Sequence, residues 1–166
     1  MSRAELAARQ AALVAALVAD EKVPDGIDAE HLAVARRALL RKQAGEVAAT
    51  WPWLATSVGP GWTASFPAWA LGRASHGSLR DGWDLARDLA TAGQLGPLGR
   101  EELAIREVSW RYDGRTAPRR RRLPALRRVP GGVVTQVAGR VHRLCRRVND
   151  HAERLSAASH RWHRHR

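Results

Sequence analysis

Three histidines close to the C-terminus, His160, His163 and His165, have the H-x-x-H-x-H spacing at which imidazoles can meet around a metal ion. A zinc site also needs further ligands and hydrogen-bonded supports that hold the first shell. No carboxylate stands among these histidines and the stretch is a basic chain end, so no metal site is expected. His142 and Cys145, at i and i+3, make a weaker pair. Cys145 lies in "RLCRRV", where neighbouring arginines would lower the pKa of an exposed thiol; a half-buried small hydrophobe is the plainer expectation. Asp81, Asp84 and Asp88 share one face of a predicted helix. Carboxylates so placed do acid–base chemistry only with raised pKa values in a closed pocket. With Arg80 and Arg87 beside them, a solvated helix face is expected. The chain has no glycine-rich phosphate loop and no Gly-x-Ser-x-Gly elbow. These residues point away from an enzyme, and no cofactor is expected.

Two further groups suit binding. Arg119, Arg120, Arg121 and Arg122, with Arg127 and Arg128, form a run that would attract a polyanion or an acidic peptide, with steep salt dependence. The run contains no aromatic residue and no nucleic-acid recognition motif accompanies it. Six of the seven tryptophans lie between positions 51 and 110. Trp62, Phe66 and Trp69 fall at i, i+4 and i+7, on one face of a helix if it survives Pro67. Large rings at helical spacing suit a core whose other residues are mainly Ala and Leu. One or two rings left exposed would anchor a protein interface. Trp51, Pro52, Trp53, Trp62 and Trp69 are therefore the candidate partner-binding residues, core first and docking at the rim.

The elements that must position these groups read as helices through residue 114. Ser2-Arg3-Ala4-Glu5 is a capping box for a first helix reaching about Ala19. "VPDG" (23–26) is a turn, and Asp28 caps a second helix that runs to about Ala49. Pro52 re-aims it. Two short helical pieces follow, 52–58 and 62–73, split by Gly59-Pro60-Gly61. Ser78-Leu79-Arg80-Asp81 is a cap-like start for a helix to about Ala92, and a last one spans about 99–112. Nothing in this part alternates with period two. The predicted fold is all-α, a small bundle of five to six helices with a basic C-terminal extension.

Charge divides the chain. Residues 1–114 carry 13 Lys and Arg against 14 Asp and Glu, whereas residues 115–166 carry 15 against 2. The predicted organisation is a near-neutral helical domain (1–114), an exposed Arg/Pro-rich linker (115–132) and a basic amphipathic segment (133–166). In that last segment Val134, Val137, Val141, Leu144, Val148, Ala152 and Leu155 recur at steps of 3 and 4, one seam on a single long helix. The alternative is a short strand over "GGVVTQVAG", which is β-branched and bounded by glycines. No stretch is long and apolar enough for a membrane span, and no signal peptide is recognised, so a cytoplasmic protein is expected. One cysteine allows no internal disulfide.

Residues 31–54, "HLAVARRALLRKQAGEVAATWPWL", resemble the second helix and following turn of the HvfC/BufC-like family, often labelled a DNA-binding domain, of which MbnC is a relative. Trp51-Pro52-Trp53-Leu54 stands for that family's aromatic-Pro-x-Leu turn, Gly59 for its glycine and Trp62 for its next aromatic. Glu107 in "AIREVSW" resembles the acidic position of its last helix. The likeness covers about residues 5–112. Ala35-Arg36-Arg37 departs from the family's Tyr-Arg-x-Asn-like residues. A basic, seam-bearing segment stands where members often carry a C-terminal domain with β-structure. The resemblance implies a non-catalytic partner of a multinuclear non-haem iron oxidative enzyme, helping to recruit or present a ribosomally made precursor (leader) peptide. A DNA-binding accessory or regulatory protein, using the basic segment, is the alternative.

Overall fold

The computed structural model describes residues 2–18 and 24–145. Six helices come first: α1 (Arg3–Val18), α2 (Ala29–Thr50), α3 (Pro52–Val58), α4 (Trp62–Ala70), α5 (Ser78–Thr91) and α6 (Pro97–Ser109). A 3-10 turn, Gly59–Gly61, joins α3 to α4. Five short strands follow: β1 (Trp110–Arg111), β2 (Arg119–Arg120), β3 (Ala125–Val129), β4 (Gly132–Val137) and β5 (Arg140–Cys145).

The helix starts follow local chemistry. The Ser2 amide donates to Glu5 Oε2 at 2.6 Å and the Glu5 amide to Ser2 Oγ at 3.1 Å, closing the capping box. Asp28 Oδ1 accepts the Glu30 amide at 2.8 Å. Helix α5 starts at Ser78 as expected, and within Ser78-Leu79-Arg80-Asp81 the bonding side chain is Asp81, which accepts the His76 amide at 2.8 Å and Ser75 Oγ at 2.6 Å.

Between α2 and α3, Trp51 leaves the helical region (φ −125°, ψ 66°), and Pro52 opens α3 at its first position, where no amide is needed. The result is a sharp elbow. Trp51 is fully buried there, its indole N–H donating to Leu79 O at 3.1 Å. Trp83 meets it edge-on, with centroids 5.8 Å apart. Around this pair pack Val47, Leu54, Phe66, Leu85 and Leu95, all buried, and Trp62, whose N–H donates to Ala44 O at 3.0 Å.

The C-terminal third overturns the all-α prediction. Trp110 and Arg111, expected at the end of the last helix, pair antiparallel with Arg120 and Arg119. Strands β3, β4 and β5 form an antiparallel meander. The stretch 115–132, expected as a linker, therefore contains two strands, and the long helix expected from 133 onward is a hairpin as far as Cys145. The cause is turn chemistry. Pro130-Gly131 and Ala138-Gly139 are two-residue turns with Gly131 at φ 77°, Ala138 at 50° and Gly139 at 79°. Positive φ at both central residues is what a type I′ hairpin turn requires and marks Ala138-Gly139; in Pro130-Gly131 the proline ring keeps φ negative and only Gly131 is positive, and neither pair fits inside a helix. The seam splits accordingly: register puts Val134 and Val141 on one face and Val137 and Leu144 on the other. Val148, Ala152 and Leu155, with His160, His163 and His165, lie outside the described residues.

Helix α6 serves two cores. One side closes the tryptophan cluster; the other carries Ala104 and Val108 against Val134, with Ile105, Ala125 and Val129 at the margin. Buried Gln136, oriented so that its nitrogen donates and its oxygen accepts, bridges Leu123 O (3.1 Å) and the Gly139 amide (2.7 Å). No helix among the described residues is long and apolar enough to cross a membrane.

Candidate functional site

The elbow is held from α6 by two side chains one turn apart. Glu102 Oε2 accepts the Leu54 amide at 2.7 Å, at the N-terminal end of α3. Arg106 Nη2 donates to Thr50 O at 2.5 Å, at the C-terminal end of α2. A negative group thus meets the positive end of one helix dipole and a positive group the negative end of the other. The Arg106 guanidinium also lies 4.6 Å from the centre of the Trp51 ring. Burial pushes the Glu102 carboxyl above the usual range, opposed by the Leu54 amide and by Arg106. Burial likewise lowers the Arg106 pKa, opposed by Glu102.

Beside this brace an open groove of about 490 Å³ is lined by Pro52, Trp53, Ile105, Arg106 and Trp110, among others. Trp53 is 41% exposed, on a helix whose first turn is fixed by Glu102. A large ring presented by a rigid element loses little entropy on binding, which suits it to anchor a partner.

A second groove follows α5, and here the expected solvated carboxylate face is corrected. Asp81 is buried and anchors the 75–76 turn. Asp84 accepts the Tyr112 hydroxyl at 2.8 Å, and burial raises its pKa. Asp88 accepts the Trp69 indole N–H at 2.8 Å and Arg73 at 3.3 Å. These carboxylates brace neighbouring elements. Glu107 does the same for the sheet: Oε1 takes Arg87 at 3.0 Å and Oε2 takes Arg127 at 3.0 Å, tying α5, α6 and β3 together.

The candidates from sequence are thereby sorted. Trp51 and Trp62 are core residues with their indole N–H groups satisfied internally, out of reach of a partner. Pro52 and Trp53 line the elbow groove, while half-buried Trp69 lies in other grooves with Arg73 stacked on it at 4.7 Å. Among the arginines, Arg121 donates to Glu107 O and Trp110 O, and Arg127 is committed to Glu107. Arg119, Arg120, Arg122 and Arg128 are exposed. Glu102, Arg106 and Trp110 were not singled out by sequence reasoning as site residues; the i, i+4 spacing of Glu102 and Arg106 on one helix was the available signal. Among the described residues no group of His, Cys, Asp or Glu could hold a metal ion.

The sheet offers a second surface. Leu126, Arg128, Val133, Val137, His142 and Leu144 share the face turned away from Val134, by strand register. Leu126 and Leu144 are each more than half exposed.

No solved structure matches the chain. A UPF0276 protein of Streptomyces avermitilis is 39% identical over 94 residues, which cover 56% of this chain and 19% of that protein. The chain thus spans about a fifth of the length of the curated relative it matches. The SCO6045-like, C-terminal domain family matches residues 7–91, from α1 to the last residue of α5. That stretch is just over half of the sequence and holds the elbow with Trp51, Trp53, Trp62 and Trp83, so the chain belongs to the SCO6045-like, C-terminal domain family.

Proposed function

We propose that the protein is a non-catalytic, cytoplasmic partner of a multinuclear non-haem iron oxidative enzyme, and that it recruits or presents the enzyme's ribosomally made precursor peptide. The observation that carries this reading is the elbow groove, where exposed Trp53 is held in place by Glu102 behind it. Enzyme docking is assigned to Pro52, Trp53 and Trp110. Peptide capture is assigned to the β3–β5 sheet, whose edge can accept an extended chain by strand addition, with exposed arginines drawing in acidic residues. The relative lends support: a segment like this one makes up a fifth of a longer chain there, joined to a larger polypeptide.

Co-expression with an iron enzyme encoded beside it, followed by size-exclusion chromatography, tests the proposal. Co-elution is expected, and W53A should weaken the complex about 30-fold, as loss of a central indole anchor does. Peptide modified equally well without this chain, and no co-elution, would end the partner reading. The exposed Arg119, Arg120, Arg122 and Arg128 also favour a second reading, a DNA-binding accessory protein. Preference for one duplex sequence at moderate salt would promote it; binding to random duplex that vanishes with salt would not.

A further inference from the structure

The β1–β2 ladder places two like charges directly opposite each other. Arg111 is the register partner of Arg119, so their side chains leave the same face of a two-residue ladder, with Cα atoms on the order of 5 Å apart. Like charges in directly opposed positions weaken a sheet pair. The ladder holds that arrangement nonetheless, because its neighbours pin it. The Arg121 amide donates to Ser109 O at 2.9 Å, and its side-chain Nε donates to the carbonyls of Glu107 and Trp110. On the other face Arg120 lies 5.0 Å over the Trp110 ring.

In the elbow and α5 grooves, Glu102, Arg106, Asp81, Asp84, Asp88, Arg73 and Arg87 all have partners within the protein. The Arg111 and Arg119 guanidiniums, by contrast, have no hydrogen bond, ion pair or ring contact among the described residues. Together with Arg121, Asp113 and Thr116 they line an open concavity of about 630 Å³. Asp113 does not neutralise them. Its carboxylate accepts the amides of Thr116 at 2.7 Å and Arg115 at 2.8 Å and the Thr116 hydroxyl at 3.0 Å. Three guanidiniums and one internally engaged carboxylate leave the concavity cationic.

We propose that this concavity is an oxyanion site in which Arg111 and Arg119 clamp one phosphate or carboxylate group between them. Two planar guanidinium forks side by side match such a group, and a bound anion would relieve the repulsion that the ladder otherwise carries. The site shares Arg119 with the exposed arginines of the partner reading but uses neither the elbow groove nor the β3–β5 edge, so its occupation and W53A-sensitive complex formation are read separately.

Isothermal titration of the full-length chain at constant ionic strength tests it, with inorganic phosphate and with tetraglutamate as separate probes. At least one probe is expected to bind saturably, one per chain. R111S and R119S should each weaken it tenfold or more, while R140S, the same charge change at the far hairpin, should alter it less than twofold. R111K and R119K keep the charge and lose the fork, and should weaken binding severalfold. Tighter phosphate binding identifies a phosphoryl ligand, and tighter tetraglutamate binding an acidic side chain. Without ligand, R111S and R119S should melt at or slightly above the wild-type temperature, since each removes a repulsion. No saturable binding by either probe, an R140S loss equal to that of R111S, or lowered melting in both serine variants would overturn the assignment.

Discussion

Gly82 sets how closely α5 approaches the elbow: a Cβ built there would lie 2.3 Å from Trp51 Cδ1, inside any permissible contact. G82A should therefore destabilise the protein by about 1–3 kcal/mol, the cost of overpacking a filled core, read as a lower urea midpoint at unchanged slope. Asp113 gives a prediction in pH. Amides of Thr116 and Arg115 hold its carboxyl down from 3.8 to about 2. A depressed carboxylate supports folding above its unfolded pKa and loses that support as pH falls through the folded one. The wild type should thus exceed D113A in stability at neutral pH and converge with it between pH 3.8 and about 2, in denaturation curves taken across that range. Glu102 and Asp84, raised by burial, act in the opposite sense: the folded state takes up their protons first, so acidification relieves a cost.

At the scale of elements, helix boundaries followed signals that are local. A capping Ser2 with Glu5, a capping Asp28 and a Pro52 that cannot continue a helix each act within four residues, so a single sequence displays them. The sheet was harder to see. Val134, Val137, Val141 and Leu144 fit a helical stripe as well as they fit two strands, because a turn of two residues between strands restores a spacing near seven. The β-branched, glycine-bounded "GGVVTQVAG" signalled the strand alternative that β4 bears out, whereas the turn that follows rests on the positive φ of Ala138 and Gly139, which Ala does not advertise. Ala138 carries that conformation at a cost glycine would not incur, so A138G should stabilise the hairpin by up to about 1 kcal/mol, measured by thermal or urea unfolding. The site was legible in part for the same reason. Trp53 and Pro52 stand in a conspicuous motif, whereas the pairing of Arg111 with Arg119 depends on a register formed across eight residues of chain.

Across the whole molecule, the family match ends where α5 ends, and α6 with the strands is built onto that helical unit. Charge divides later, after residue 114: α6 is still near neutral, and the basic excess begins with the stretch that carries β2 to β5. Replacing the exposed Arg120, Arg122 and Arg128 with Ser should weaken association with an acidic partner mainly at low ionic strength, where a Debye length of about 30 Å at 0.01 M lets exposed charges act at range. The measured salt slope of complex formation checks this; an unchanged slope would assign the attraction elsewhere. Helix α6 touches both halves at once. Its Glu102 grips the Leu54 amide while its opposite side supports Val134. One helix thus joins the strands to the start of α3, and deuterium uptake at the Leu54 amide should slow when an extended peptide docks on the sheet and stiffens that helix.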